Sequence, residues 1–144
     1  MIVTLIFLLS SKDPKDADNI QGRLVGSGAE LVCLAGYMRV LPSVVTDAWA
    51  GRMINIHPSL LPKHKGLNAQ AKALAAGDKV AGATVHLVEA DVDSGEILEQ
   101  GRVDILPGDQ EDTLSRRILS VEHQIYPRAV SRYAAAMLAQ GEGQ

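Results

Sequence analysis

The sequence predicts an α/β fold in which a twisted, mostly parallel sheet is flanked by helices. Segments with strand character alternate with segments with helix character, which is the order found in parallel sheets. Apolar residues make up 47% of the chain and aromatic residues 3%, so we expect a core of Val, Leu, Ile and Ala. A length of 144 residues suits one compact domain, which we expect to span residues 1–144.

The first half of the chain contains two predicted strands and two predicted helices. Residues Ile2 to Leu9 form a continuous apolar run, which is typical of a strand covered on both faces. Apolar residues recur at helical spacing from Ala17 to Val25, and the glycines of "GSG" end that helix. The segment "AELVCLAG" predicts a second buried strand, and "VVTDAWAG" predicts a short helix that ends in a glycine.

The second half contains three predicted strands and two predicted helices. In chain order these are the strand "RMINIH", the helix "LNAQAKALAAGD", the strands "GATVHLVEA" and "EILEQGRVDIL", and a helical region from about Gln110 to Gln140. Gly101 is a predicted bulge in the last strand. Pro127 is expected to break or kink the long helix, because proline removes a backbone donor.

Composition and charge exclude several classes of function. A formal net charge of −3 offers no broad attraction for nucleic-acid phosphates. No stretch reaches the roughly 20 apolar residues of a membrane span, and the opening "MIVTLIFLLSS" lacks the basic leader of a signal peptide. The single cysteine, Cys33, lies in an apolar run, where we expect a buried and inert thiol. These features predict a cytoplasmic protein that binds neither nucleic acid nor membranes.

Asn55 and His57 stand two positions apart near the end of the strand predicted in "RMINIHPSLLPK". Alternate side chains of a strand share a face, so these two project together while Ile54 and Ile56 point to the other side. An amide can donate to a developing oxyanion and an imidazole can move protons near neutrality, so the pair suits nucleophilic addition to a carbonyl. A structural histidine that caps the strand end is the alternative, and the spacing leaves both open. No Ser or Cys nucleophile is evident, which favours direct transfer over an acyl-enzyme.

Five segments, in order, resemble the formyltransferases that use 10-formyltetrahydrofolate. They are "LAGYMRVL", "GRMINIHPSLLPK", "GDKVAGATVHLV", "PGDQEDTLSRRI" and "EHQIYP", and the resemblance extends from about Glu30 to Pro127. It is strongest to the branch of the family that acts in purine synthesis. The resemblance implies a Rossmann-like domain that transfers a formyl group from 10-formyltetrahydrofolate to the amine of glycinamide ribonucleotide.

The resemblance also implies roles for three polar residues. Asn55 would polarise the formyl carbonyl, and His57 would assist proton transfer and stabilise the charge of the tetrahedral intermediate. Asp93 would orient a proton-carrying water and tune the imidazole. A plain surface turn is the competing interpretation of Asp93. A calcium loop is not expected, because the glycine of "DVDSGE" falls one position early and Arg102 replaces the closing glutamate.

Ligand contacts follow from the same resemblance. It implies that the folate contacts Met38, Arg39, Val40, Leu41, Val88, Glu89, Ala90 and Asp91. It implies that the ribonucleotide contacts Gly36, Met38, Ile56, Pro58 and Glu122, beside Asn55. Without the resemblance, Met38 and Leu41 would count as packing residues and Glu122 as a solvated charge. His86 lies inside a predicted strand and is expected to be packed and hydrogen-bonded rather than catalytic.

The sequence departs from the family at its start. Family members begin with a strand and a Gly/Ser/Asn-rich turn that binds the substrate phosphate through backbone N–H groups, and this sequence shows no such start. We therefore expect an amino-terminally shortened sheet, low affinity for a ribose phosphate and weak or absent formyl transfer by the shortened chain. We also expect an exposed sheet edge, at Ile2 to Leu9 or at Leu31 to Gly36, through which a homodimer would form. Asn68 and Gln70 stand where the purine enzymes usually have histidines, which bears on rate and substrate choice more than on reaction type.

Two alternatives to transfer onto glycinamide ribonucleotide stay open. A formyltetrahydrofolate deformylase would use water in place of the amine as the acceptor. A non-catalytic folate-binding remnant would need a partner chain to complete its sheet. Formate release without an added acceptor would indicate the first, whereas folate binding without turnover, unchanged by His57→Ala, would indicate the second.

Overall fold

The computed structural model of the chain describes residues 5–6, 16–37 and 40–142, and the rest of the predicted strand Ile2 to Leu9 lies outside these ranges. The elements in chain order are β1 (Leu5–Ile6), α1 (Asp16–Ser27), β2 (Leu31–Leu34), α2 (Ser43–Ala48), β3 (Met53–His57), α3 (Ala69–Ala75), β4 (Val80–Leu87), β5 (Ile97–Asp104) and α4 (Glu111–Glu142). Strands and helices alternate through most of the chain, which confirms the predicted α/β fold.

The five described strands form one sheet in the order β1-β2-β3-β4-β5. β2 runs parallel to both of its neighbours, whereas β4 runs antiparallel to both β3 and β5. The described sheet is thus mixed, and the mostly parallel arrangement that was predicted holds only for its first three strands. The connection from β4 to β5, residues 88–96, is too short for a parallel crossover, and a hairpin results.

The position of β2 corrects one of the two predicted sheet edges. Leu31 pairs with Leu5 on one side, and Val32 pairs with Met53 on the other. The edge predicted at Leu31 to Gly36 is therefore wrong, because this strand is interior. Within the described residues the first edge of the sheet lies at β1, and dimerisation through it remains a prediction.

Two apolar clusters lie on opposite faces of the sheet. Leu31 and Ile54 belong to the cluster that packs against α4, whereas Val32 and Met53 belong to the cluster formed with α1 and α2. Successive strand residues alternate between the two faces, so β2 and β3 each contribute to both clusters. Helices therefore cover both faces of the parallel part, and the carboxyl ends of its strands remain free to form a ligand site.

The long helix α4 is continuous through Pro127, so the predicted break is not found. A proline in a helix removes one hydrogen bond, but tertiary packing can outweigh that loss. Here Ile118, Ile125 and Ala129 are buried against the sheet on both sides of the proline. Among the described helices, none is long and apolar enough to cross a bilayer.

The irregularity in β5 lies at Leu98 and not at Gly101, as the sequence had predicted. Gly101 pairs regularly with Ala83, and the register shifts next to His86, which leaves Leu98 as the extra residue. A glycine is needed at position 101 for a different reason, because a Cβ there would collide with Val121 of α4. The bulge at Leu98 lies beside the loop of residues 88–96, where bulges commonly redirect side chains toward a site.

Candidate active site

A cavity of about 1200 Å³ opens at the carboxyl ends of β2 and β3. The loop of residues 88–96 forms one wall and α4 forms another. Its volume exceeds that of a typical small-molecule pocket, so it can hold two ligands side by side. This is the position at which open α/β sheets commonly bind ligands.

The predicted pair, Asn55 and His57, lies together on the cavity wall at the end of β3. Asn55 pairs across the sheet with His86, and His57 pairs with Thr84. Side chains that pair directly across an antiparallel ladder lie on the same face of the sheet. The neighbouring Ile54 instead joins the apolar cluster next to α4, as the alternation of the strand predicts.

The imidazole of His57 is buried, with 7% of the residue exposed, and lies between two acceptors. Its Nδ1 is 3.4 Å from Asp93 Oδ2, and its Nε2 is 2.9 Å from the carbonyl oxygen of His64. A carbonyl oxygen only accepts, so Nε2 must carry a proton. With this proton on Nε2, the ring directs Nδ1 at the carboxylate of Asp93.

Asp93 lies in the loop of residues 88–96 with its backbone in the left-handed region, at φ 53°. Its Oδ2 accepts a 2.8 Å hydrogen bond from the backbone N–H of Gly66. Burial acts to raise the pKa of this carboxyl, but the His86 side chain, the Gly66 N–H and the charge of His57 outweigh it, so the pKa is lowered. Asp93 is therefore a carboxylate at neutral pH. The structure places it within the site and not on a plain surface turn.

His86 is the contact that the sequence did not predict. Its Nδ1 donates to the carbonyl oxygen of Leu87 at 2.8 Å, and the residue is packed and hydrogen-bonded, as expected. Its Nε2, however, lies 3.5 Å from Asp93 Oδ1 and has no well-formed hydrogen bond among the described residues. We regard this approach as an electrostatic contact. The contact between His86 and Asp93 could not be predicted from the sequence, because it depends on the pairing of β4 with β3.

The Oδ1 atom of Asn55 is buried and has no hydrogen-bond partner among the described residues. An unpaired buried acceptor lowers the stability of a protein, so such atoms usually await a partner. Asn55 lines the cavity, where a bound molecule with an N–H or O–H group could supply that partner. The amide is therefore available for ligand recognition.

The opposite wall is formed by α4 and carries Glu122. Burial raises the pKa of this carboxyl above its usual value, and the neighbouring charge of His123 offsets part of that increase. On the β2 side, burial raises the pKa of Cys33 to about 11, against a smaller lowering by Tyr126. The thiol is therefore un-ionised at neutral pH, which agrees with the predicted inert cysteine. Cys33 is, however, half-buried and lines the cavity, so its predicted burial in the core is wrong.

Most of the other predicted contact residues line the cavity. These are Gly36, Val40, Leu41, Ile56, Pro58, Val88, Glu89 and Ala90. Asp91 is exposed and does not line it, although Ala90 and Val92 on either side do. Met38 and Arg39 lie outside the described residues. Among the described residues, no group of three His, Cys, Asp or Glu side chains is arranged to hold a metal ion.

Sequence comparisons identify relatives for most of the chain. A family described as formyl transferase matches residues 3–130. The trifunctional purine biosynthetic protein adenosine-3 of Drosophila melanogaster is 48% identical over 122 residues, which cover 85% of this chain and 9% of that protein. The phosphoribosylglycinamide formyltransferase of Escherichia coli (strain K12) is 42% identical over 109 residues, which cover 76% of this chain and 51% of that protein. The chain thus spans about half the length of the bacterial relative and about a tenth of the insect one.

Solved structures agree with this result. A phosphoribosylglycinamide formyltransferase from Anaplasma phagocytophilum matches with a TM-score of 0.77 at 46% identity, covering 81% of this chain and 57% of that chain. A formyltetrahydrofolate deformylase from Pseudomonas syringae pv. tomato matches with a TM-score of 0.76 at 33% identity, covering 82% of this chain and 41% of that chain. The fold described above is thus shared by proteins of both names.

Proposed function

Since the chain belongs to the formyl transferase family, we propose that it transfers a formyl group from 10-formyltetrahydrofolate to the amine of glycinamide ribonucleotide in de novo purine biosynthesis. The observation that supports this most strongly is the meeting of Asn55, His57 and Asp93 at one wall of a large cavity. The relatives named phosphoribosylglycinamide formyltransferase support the choice of acceptor.

The reaction needs a site that stabilises negative charge on the formyl oxygen. The amine nitrogen attacks the formyl carbon to give a tetrahedral intermediate, and the bond from that carbon to N10 of the folate then breaks. One proton leaves the attacking nitrogen and one arrives at N10. Preorganised donors and positive charge next to the formyl oxygen lower the barrier for such a step.

In this proposal Asn55 and His57 stabilise the intermediate in different ways. The Asn55 amide group donates to the formyl oxygen, while its unpartnered Oδ1 accepts an N–H of the attacking amine. His57 assists proton transfer and stabilises the charge of the intermediate, and its two ring nitrogens face the carbonyl oxygen of His64 and the carboxylate of Asp93. Removing one oxyanion donor from a site of this kind slows the reaction by roughly 10² to 10³.

In this proposal Asp93 orients His57 and holds the water that carries the proton. The lowered pKa of its carboxyl means that it faces the imidazole as a carboxylate at neutral pH. A water bound to Asp93 would accept the proton from the attacking nitrogen and return one toward N10.

We place the two ligands on different walls of the cavity. The folate lies against Val40, Leu41 and the loop of residues 88–96, whose backbone groups can bind the pterin. The ribonucleotide lies near Gly36 and Pro58, with its amine between Asn55 and Glu122. No metal takes part in this scheme. We further propose that the protein acts in the cytoplasm and that β1 is an edge through which two copies pair.

The test is an assay of the purified chain with 10-formyltetrahydrofolate and glycinamide ribonucleotide. Mass spectrometry would detect the formylated ribonucleotide, and absorbance would detect tetrahydrofolate. We expect transfer by the wild-type chain and its loss in His57→Ala and Asp93→Asn. Asp112→Asn is the matched control, because this aspartate is 69% exposed on α4. Wild-type folate binding without any formylated product, even when the chain is fused to the amino-terminal phosphate-binding half of a relative, would refute the proposal.

The same assay separates the deformylase alternative, which the likeness to the Pseudomonas structure supports. Formate released at the same rate with and without the ribonucleotide would identify water as the acceptor. A non-catalytic folate-binding chain would show folate binding that survives His57→Ala, with no turnover in either protein. Each of the three candidate functions therefore predicts a different result in this assay.

A further inference from the structure

A short turn at the edge of the cavity contacts both members of the His57 and Asp93 pair. The carbonyl oxygen of His64 accepts the Nε2–H of His57 at 2.9 Å. The backbone N–H of Gly66 donates to Asp93 Oδ2 at 2.8 Å. We refer to residues 64–66 as the clamp turn. Since one turn contacts both side chains, its position determines how the imidazole and the carboxylate face each other.

The clamp turn is fastened by a contact on its outer side. His64 Nε2 lies 2.7 Å from Asp78 Oδ2, with the two side chains 19% and 14% exposed. The hydrogen bond from His64 is the largest influence on Asp78 and lowers the pKa of its carboxyl. Asp78 follows the end of α3, and its own N–H donates to Ala73 of that helix. The contact therefore connects the turn to a helix and not to a mobile side chain.

The backbone of His64 is in a conformation that needs such support. Its φ is 55°, in the left-handed region that residues other than glycine rarely adopt. This conformation directs the His64 carbonyl toward His57 while its side chain reaches Asp78. Neither the His64 nor the Asp78 side chain lines the large cavity, so neither can touch the proposed ligands.

We propose that His64 is a positioning residue for the reaction. Its side chain is anchored by Asp78, and its carbonyl oxygen accepts the Nε2–H of His57. This contact fixes the orientation of the His57 ring and keeps a proton on Nε2. The proposal rests on the proposed function, because it assumes that His57 is the reacting imidazole. A merely structural role would instead stabilise a surface turn and leave the ring of His57 unchanged.

The test compares variants of the full chain by kinetics and by ¹⁵N NMR of the imidazole rings. The chain has four histidines, so single substitutions assign the signals. His64→Gly removes the anchor and keeps a residue that accepts φ 55°. We expect a roughly tenfold lower kcat at nearly unchanged KM, since ring orientation changes and ligand contacts do not. We also expect the Nε2 signal of His57 to move toward that of an exposed ring. His64→Gln retains a donor toward Asp78 and should recover most of both effects.

Two further variants keep the outcome decisive. Lys63→Ala removes a second partner of Asp78 and should change neither kcat nor the His57 signal, because Lys63 Nζ lies 3.5 Å from Asp78 Oδ1 on a side chain that is 65% exposed. Asp78→Asn weakens the same anchor without altering the turn, and it replaces His64→Gly if that variant does not fold. A folded His64→Gly or Asp78→Asn chain with unchanged kcat and His57 signal would overturn the inference. A wild-type chain without turnover would contradict the proposed function alone, because the NMR signal would still report whether His64 positions the ring.

Discussion

The hydroxyl of Tyr126 donates a 2.6 Å hydrogen bond to the carbonyl oxygen of Leu34, across 92 positions of sequence. The same hydroxyl lies 3.2 Å from the carbonyl oxygen of Ile54, the residue before Asn55. Burial, with a smaller effect of Cys33, raises the pKa of Tyr126, so the phenol remains a donor. One side chain of α4 thus contacts the end of β2 and the strand β3 just before Asn55.

Replacement of this phenol should weaken the fold measurably. Tyr126→Phe keeps the ring but leaves the carbonyl oxygen of Leu34 without this donor, so we expect a loss of about 1 to 2 kcal/mol in the free energy of unfolding. Urea unfolding followed by circular dichroism would measure it. Tyr133→Phe is the matched control, because its hydroxyl donates to Gly51 near the surface, where water can replace it. Equal losses in the two variants would contradict this account.

The elements of the fold could be predicted because each depends on a local pattern. The strand that carries Asn55 and His57 is a β-branched run bounded by Pro58, and the i, i+2 spacing of the two polar residues places them on one face. The long helix has continuous helical character from Gln110 onward. These signals lie within a few residues of one another, so the sequence alone was sufficient to read them.

The remaining features depend on contacts between distant segments. The direction of β4, the approach of His86 to Asp93 and the carbonyl of His64 on His57 all arise from tertiary packing. No periodicity encodes them. Pro127 shows the converse case, since a local rule predicted a break and packing against the sheet kept the helix whole.

Asn55 should be important for rate and unimportant for stability. Asn55→Ala removes the donor to the formyl oxygen, so we expect kcat to fall by roughly 10² to 10³. Its Oδ1 has no partner among the described residues, so the melting temperature should not fall appreciably. Steady-state kinetics and thermal unfolding measure the two quantities.

Asn55→Asp is the informative comparison for this prediction. It keeps the size of the side chain and replaces the donor by a negative charge, which opposes an oxyanion. Transfer should therefore be at least as slow as in Asn55→Ala. An Asn55→Asp chain with near wild-type kcat would show that the amide does not donate to the formyl oxygen.

The base of the loop that carries Asp93 requires a glycine at position 95. A Cβ at Gly95 would collide with the backbone carbonyl of Leu87, and this backbone cannot move freely because Leu87 N–H donates to Glu96 at 2.9 Å. Gly95→Ala should therefore lower the free energy of unfolding by about 1 to 3 kcal/mol and weaken folate binding. Thermal unfolding and fluorescence titration with folate would test both.

Gly141→Ala provides the control for this loop prediction. Gly141 lies in α4, and nothing is within 4 Å of the position that a Cβ would occupy. Alanine favours helices over glycine, so stability should be unchanged or slightly higher and folate binding unaffected. Folate binding by Gly95→Ala that matches both wild type and this control would rule out a tight loop base.

The carboxylate of Glu122 should lower the stability of the fold at neutral pH while it contributes to binding of the ribonucleotide amine. Burial raises its pKa in the native chain, so its ionisation favours the unfolded chain. The resulting penalty is absent below about pH 4, the range of an ordinary glutamate, and grows as the pH rises through the higher native pKa. Glu122→Gln should therefore melt like wild type at low pH and at a higher temperature near pH 7.

With the negative charge gone, KM for the ribonucleotide amine should rise roughly tenfold at unchanged KM for the folate, as expected for loss of a charge-assisted contact. Thermal unfolding across this pH range and initial-rate kinetics measure both effects. The control is Gln124→Glu, which makes the opposite substitution at an exposed position of the same helix. A melting difference that shrank with rising pH would mean that Glu122 is stabilised as a carboxylate by a partner, and the amine would then need a different recognition group.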